Sequence, residues 1–241
     1  MPDHSSPNVG TLYLIPTFLG EASLESSVTP IIARIIGRLS YFLVEEEKSA
    51  RNYIKQVAPH RNLRDLTLNR LDEHTPLSDV ERLMTPLFQG HDMGIISEAG
   101  CPAIADPGAM VVRRAHERGV TVRPLVGPCS MTLALMSSGF NGQRWRFVGY
   151  LPVDDTERRS TLLRLENLAN SSGETQIMME TPYRNQKLLT DIITHCRPDT
   201  KLCVASSLTT PSELVEVHTV AEWRKLERTL LKNPALFLLG A

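Results

Sequence analysis

From Leu12 to Val126 short apolar runs alternate with helical stripes, and this alternation limits the fold more than any other property of the chain. Leu12 to Ile15, Tyr41 to Val44, Met93 to Ile96 and Val120 to Val126 read as strands. Between them, Val28, Ile31, Ile32, Ile35, Ile36 and Leu39 recur at helical spacing. Ser78 and Glu81 form a capping-box pattern before Leu83, Met84, Leu87 and Phe88, and Gly90 ends that helix. Val111, Val112 and Ala115 fall on a helix stopped by Gly119. This β-α-β-α order argues for a largely parallel sheet.

After Pro124 to Pro128 the pattern restarts. A short helix, Ser130 to Ser138, ends at Gly139; a strand follows at Arg146 to Tyr150 and a helix at Thr156 to Ala169. Thr175 to Glu180 reads as a strand, and Pro182 opens a helix carrying Leu188, Leu189, Ile192 and Ile193. Lys201 to Ser206, Glu213 to His218 and Leu236 to Leu239 are further strands, with Thr219 and Glu222 capping a helix before Trp223 and Leu226. The expectation is an α/β protein of two α/β domains, 1–122 and 127–241, with a ligand cleft between them.

The stretch Gly94 to Gly108 carries the most functional information. A strand runs into a loop of small residues that ends in Asp106-Pro107-Gly108. Small residues let a ligand approach the backbone, and open α/β sheets bind ligands beyond the carboxyl ends of their strands. Two readings of Asp106 stand: it orders a ligand loop, or it caps a helix with Pro107 at the first position.

Hydrophobic residues are 41% and charged residues 22%, an ordinary globular balance. No apolar run reaches about 18 residues, so no membrane span is expected. Met1 to Pro7 is polar, lacks a signal pattern and reads as a frayed tail of a cytoplasmic protein. Cys101, Cys129, Cys196 and Cys203 have no metal or redox spacing, the histidines are scattered, and no metal is expected. The formal net charge is −1, so binding to nucleic acid requires a local basic face. Arg144, Arg146, Arg158, Arg159 and Arg164 cluster, but Asp154, Asp155, Glu157 and Glu166 dilute them. There is no G-x-G-x-x-G turn after the first strand, which argues against a dinucleotide enzyme.

Six segments, in order and at the expected spacing, resemble the tetrapyrrole methylase superfamily, most closely the branch that methylates a cytidine 2′-hydroxyl of bacterial small-subunit ribosomal RNA. They are Gly10 to Thr17, Val44-Glu45-Glu46-Glu47-Lys48, Ser97-Glu98-Ala99-Gly100-Cys101-Pro102 with Asp106-Pro107-Gly108, Pro124 to Ser130, Phe147 to Pro152, and Glu180-Thr181-Pro182-Tyr183-Arg184. Four departures stand out: Gly20-Glu21-Ala22-Ser23-Leu24 replaces an Asn-Leu, Glu46 and Lys48 stand for Asp and Arg, Glu98 and Cys101 stand for Asp and Thr, and Ser206 to Thr210 replaces Arg-Glu-Leu-Thr-Lys. Lysine does not reproduce the bidentate fork of arginine.

The resemblance implies two domains, a homodimer and S-adenosyl-L-methionine as methyl donor. It implies donor contacts at Pro16, Thr17, Cys101, Pro102, Ile104, Asp106, Gly127, Cys129 and Ser130, and also at Met178, Met179, Pro234 and Ala235. Met178 and Met179 read equally as core. Candidate catalytic residues are Glu46, Asp106 and Arg184; candidate acceptor-binding residues are Lys48, Arg51, Tyr183 and Arg184. Glu46 reads either as a base or as an acid favoured at a helix N-terminus. Arg184 either grips phosphate or pairs with Glu180. The acceptor expected is RNA. The alternatives are a small molecule such as a tetrapyrrole, and a relative that binds the donor without catalysis.

Overall fold

The computed structural model describes residues 9–20, 27–226, 228–230 and 232–240. The tail at Met1 to Pro7 and the departure at Glu21 to Leu24 lie outside them. The chain divides into two compact units, Met1–Pro128 and Cys129–Ala241.

Unit 1 holds five strands, β1 (Thr11–Ile15), β2 (Tyr41–Val44), β3 (Thr67–Arg70), β4 (Met93–Ile96) and β5 (Thr121–Pro124). They form one sheet in the order β3-β2-β4-β1-β5, with every neighbour pair parallel. Helices α1 (Pro30–Arg38) and α2 (Glu47–Val57) cover one face. Helices α3 (Leu77–Leu83), α4 (Thr85–Phe88) and α5 (Gly108–Glu117) cover the other. Side chains on successive strand residues alternate between the two faces. Ile15, Phe42, Val44 and Ile96 thus join Ile32, Ile36 and Ile54 in one core. Leu12, Leu43, Met93 and Ile95 join Leu83, Met84, Leu87 and Val111 in the other. Strands buried on both faces are the reason for the near-continuous apolar runs.

Unit 2 is built on a mixed sheet. Its strands are β6 (Trp145–Tyr150), β7 (Thr175–Glu180), β8 (Lys201–Ser206), β9 (Leu214–Thr219) and β10 (Ala235–Gly240), in the order β6-β7-β10-β8-β9. Only β6 and β7 are parallel; β10 runs antiparallel to both β7 and β8, and β8 to β9. The link between β8 and β9 is too short for a crossover helix, so it makes a hairpin. Helices α6 (Ser130–Ser138), α7 (Asp155–Ser172), α8 (Asn185–His195) and α9 (Val220–Leu226) complete the unit. Its core gathers Leu162, Leu165, Leu189, Ile192, Trp223, Phe237 and Leu239. Trp223 Nε1 is satisfied by the Leu202 carbonyl at 3.0 Å.

The two capping boxes fare differently. Thr219 and Glu222 bond reciprocally, with Glu222 Oε2 accepting from Thr219 N at 2.8 Å and Thr219 Oγ1 from Glu222 N at 3.2 Å. Ser78 and Glu81 do not form one: α3 begins at Leu77 after Pro76, and Glu81 pairs instead with Arg114 and Arg118. Salt bridges to α5 are available to Glu81 and outcompete the local turn.

Candidate functional site

The order of unit 1 contains a topological switch point. The chain leaves β1 towards β2 on one side of the sheet centre and leaves β4 towards β5 on the other. Such a point opens a crevice beyond the strand ends, where α/β sheets bind ligands. The loops that leave β1 and β4 meet there. Thr17 N donates to the Gly100 carbonyl at 2.9 Å and Gly100 N to the Phe18 carbonyl at 3.3 Å. Thr17 Oγ1 donates to the Ser97 carbonyl at 3.1 Å, and Ser97 Oγ to the Gly100 carbonyl at 2.7 Å. Tyr53 Oη, buried on α2, holds the Pro16 carbonyl at 2.6 Å. Pro16 and Thr17 are therefore buried and pinned.

The loop after β4 is wound tightly. Ala103 and Ala105 take φ of 65° and 55°, a left-handed conformation that costs residues with a Cβ. The winding is held by Asp106 Oδ1, which accepts from Ala103 N at 3.1 Å and Gly108 N at 2.5 Å. The helix begins at Gly108 with Pro107 as its N-cap, so Pro107 is not, as expected, its first residue; Asp106, one residue earlier, binds the Gly108 amide and orders the loop. Pro102 is buried and Ile104 exposed. Cys101 Sγ lies 3.3 Å from the Pro128 carbonyl. A Cβ on Gly127 would stand 2.3 Å from Pro16 Cβ, so glycine is needed there for the chain's own packing.

Two further carboxylates gather here: Glu45 meets Asp106, and Glu98 stands beside Glu45. Glu45 follows β2 directly, and Glu98 stands two residues beyond β4; Val44 and Ile96 are register partners, which brings the two acids to one strand-end rim. The Asp106 carboxylate and the Glu98 backbone stand beside the Glu45 carboxyl. Burial, then the charge of Asp106 beside it, pushes the Glu45 carboxyl up to about 7. Glu98 Oε1 accepts from Ser49 Oγ at 2.6 Å. Glu46, by contrast, is the N-cap of α2 and accepts from Ser49 N at 2.9 Å. Its carboxyl is held below its ordinary value by backbone hydrogen bonds at that helix start. Among the described residues no acidic, histidine or cysteine group is arranged to hold a metal ion.

Beside this rim lies a cavity of about 310 Å³, walled by Phe18, Tyr53, Ser49, Asn52, Gln56 and Glu98. Ser49, Asn52 and Gln56 face it from one side of α2, at helical spacing. Among the described residues no lysine or arginine lines it. Lys48 is exposed, and Arg51 is tied to Glu47 at 2.7 Å and to the Leu63 carbonyl at 2.8 Å.

In unit 2, Met178 is fully buried in the core and Met179 half-buried. Arg184 Nη2 lies 2.8 Å from Glu180 Oε1, a carboxylate only 2% exposed. Tyr183 is 85% exposed. Asn185 Nδ2 donates to the Asn233 carbonyl, while the buried Asn185 Oδ1 has no partner. Next to it, the exposed Pro234 leads into buried Ala235, and the Pro234 carbonyl accepts from Ser206 Oγ at 3.2 Å. In the segment that departs from the related motif, Ser207 and Thr209 take φ of 52° and 68°, and Glu213 Oε2 accepts from Thr209 N at 2.7 Å. Cys129 and Ser130 stand half-buried at the start of α6.

The sequence signal for Glu45 and Glu98 was their place right after two apolar strands, which turns into proximity only through the strand order. The same architecture occurs in solved structures. The methyltransferase CobJ superposes with a TM-score of 0.63 at 17% identity, over 96% of this chain and 94% of that one. Uroporphyrin-III-C-methyltransferase from Thermus thermophilus gives 0.56 at 17% identity, over 96% and 92%. The fold is thus that of a class of two-unit α/β methyltransferases. Sequence relatives carry the point further. The ribosomal RNA small subunit methyltransferase I of Xylella fastidiosa (strain Temecula1) is 32% identical over 212 residues, 88% of this chain and 73% of that protein. That of Escherichia coli O157:H7 is 26% identical over 243 residues, 99% and 81%. The family model for Tetrapyrrole (Corrin/Porphyrin) Methylases matches residues 24–223, and the chain belongs to that family of methyltransferases.

Proposed function

We propose that this chain is an S-adenosyl-L-methionine-dependent methyltransferase acting on RNA, ribosomal RNA being the acceptor suggested by the names of its relatives. The observation that carries the choice of RNA is the cavity beside Glu98. Its amides, hydroxyls and aromatic rings suit a neutral nucleoside, whose base can stack and hydrogen-bond. A tetrapyrrole of the uroporphyrin kind carries many carboxylates and calls for cations, which that lining lacks.

Each unit by itself offers residues that suit the donor. In unit 1 the small residues of the Cys101 to Asp106 loop leave backbone accessible; in unit 2 the orphaned Asn185 carbonyl beside Pro234 and Ala235 suits a ligand rich in N–H donors. Bound there, S-adenosylmethionine supplies an electrophilic methyl group on sulfur. The chain's own work is to hold the acceptor in line and to take its proton. Glu45 is the side chain best suited to the proton, since it lies on the acid rim with a pKa of about 7. Asp106 sets that value and orders the loop. Lys48 and Tyr183, both exposed, are free to meet RNA, whereas Arg184 is committed to Glu180.

We assign a homodimer as well, supported by the exposed Met136, Tyr150 and Val153 of unit 2, and a cytoplasmic location in keeping with a ribosomal acceptor. Among the described residues no helix is long and apolar enough to cross a membrane. The test is calorimetric binding of the demethylated donor, followed by transfer of tritiated methyl into total RNA against a small-metabolite pool. Label in RNA is expected. Label only in small molecules makes the acceptor a metabolite, and donor binding without any transfer makes the chain an inactive relative.

A further inference from the structure

The acid rim and the cation-free cavity raise a question of affinity. Phosphodiester contacts supply most of the affinity of nucleic-acid complexes, and Glu45, Glu98 and Asp106 repel phosphate. The grip has to come from elsewhere on a chain of net charge −1.

The arginines of the described residues divide into two kinds. Most are spent on carboxylates or carbonyls, as are Arg51, Arg61, Arg114, Arg158, Arg184 and Arg224. Arg34 and Arg123 are not: no ion pair or side-chain hydrogen bond engages either among the described residues. Both line one cavity of about 380 Å³, together with a third arginine, Arg38. Arg34 and Arg38 stand one turn apart on α1, and Arg123 projects from β5, the edge strand of the sheet. Arg38 is fixed by Tyr13, whose hydroxyl accepts from it and whose ring lies 5.1 Å from its Cζ, and by a solvent-exposed contact to Asp92 at 3.4 Å. Among the described residues no acidic one lines the cavity. Its apolar floor is Ile31 and Leu125. Three guanidinium groups over an apolar floor focus positive potential and match phosphate oxygens bidentately. Pro124 and Arg123 sit on the open edge of β5, a pair that discourages strand addition by a second copy.

We infer that this groove between α1 and β5 is a track for the phosphodiester backbone of an RNA acceptor, gripping it away from the acid rim. The inference rests on the RNA reading above. Its ligand is the ribose-phosphate chain, read without regard to base.

The experiment measures binding of a fluorescein-labelled single-stranded 20-mer RNA by anisotropy, from low to moderate salt. It compares the wild type, Arg34→Ser/Arg123→Ser, and the control Arg64→Ser/Arg113→Ser, which removes two exposed, unpaired arginines from other parts of unit 1. Arg38 is left in place because Tyr13 depends on it. Each lost contact on a single strand flattens the slope of log affinity against log salt by about 0.7. The groove variant is expected to lose about 1.4 from the slope and roughly 10–30-fold in affinity at about 0.1 M salt. The control should lose far less, and binding of S-adenosylhomocysteine should match the wild type in both. RNA binding by the wild type with equal slopes in the two variants overturns the groove and leaves the RNA reading standing. No RNA binding by the wild type overturns both. A change of sedimentation coefficient in the groove variant makes the face a contact between copies, and a fall in donor affinity makes it part of the donor site; either overturns the inference.

Discussion

Replacing Glu45 by glutamine removes one charge from the acid rim, and two independent readouts follow. The Glu45 carboxyl is raised from 4.5 to about 7, by burial first and by Asp106 second. In the folded state it therefore holds its proton where the unfolded chain has lost it. Stability accordingly falls as pH rises between 4.5 and 7, and the cost is complete above 7. Taken at face value the rise is worth ~3 kcal/mol. Glu45 is only partly buried, and solvent screening reduces this to about 1–2 kcal/mol. Glutamine pays none of it. At pH 8 Glu45→Gln should melt roughly 3–6 °C above the wild type, and near pH 4.5 the two should coincide. Methyl transfer should move the other way. The wild-type rate should climb with pH to a plateau above about 7, and the variant should lose about 10²–10⁴-fold in kcat without the inflection. Asp106→Asn, which can still accept from Ala103 and Gly108, should shift the wild-type inflection to lower pH. Differential scanning fluorimetry at three pH values and a filter-binding transfer assay suffice. A variant that keeps kcat within threefold and gains no stability at pH 8 would refute the reasoning, because the carboxyl would then be neither strained nor used.

Arg184→Ala strands a nearly fully buried Glu180 and should lower stability by about 2–3 kcal/mol while leaving the salt slope of RNA binding unaltered; chemical denaturation and anisotropy separate the two effects. Gly127→Ala drives a Cβ into Pro16 and should destabilise the loops at the ends of β1 and β5 by about 1–3 kcal/mol, seen as faster amide exchange at Thr17 and Gly100. Burial pushes the Cys196 and Cys203 thiols up to about 12, so in native protein at pH 8 iodoacetamide should leave both unmodified by mass spectrometry and should label them once the chain is unfolded. Ser130→Trp, half-buried at the start of α6, should abolish calorimetric binding of the demethylated donor with the melting temperature nearly unchanged; retained affinity removes Ser130 from the donor site.

The parallel sheet of unit 1 is legible because strands buried on both faces must be apolar throughout, as Tyr41–Val44 and Met93–Ile96 are. Strand β3 escapes the same reading: Thr67-Leu68-Asn69-Arg70 is a partly exposed edge strand, and its composition is that of a loop. In unit 2 the strands are legible but their directions are not, since pairing of β10 with β7 and β8 depends on contacts remote in sequence. The site divides along the same line. Asp106 and the small-residue loop are visible as local chemistry. Glu45 joins them only because β2 and β4 are neighbours, a relation that no spacing along the chain encodes. Glu46 and Arg184 each have a local partner four residues away or fewer, Ser49 and Glu180.

The position of β10 has a consequence for synthesis. All five strands of unit 1 are complete by Pro124, so its sheet can close while translation continues. Unit 2 cannot do the same, because Ala235–Gly240 belongs in the middle of its sheet, between β7 and β8. Until Ala235–Gly240 has been made, two strands wait with unpaired inner edges, about 2–7 s after β8 at roughly 5–20 residues per second. Nascent unit 2 is therefore the part of this chain most exposed to chaperones and proteases.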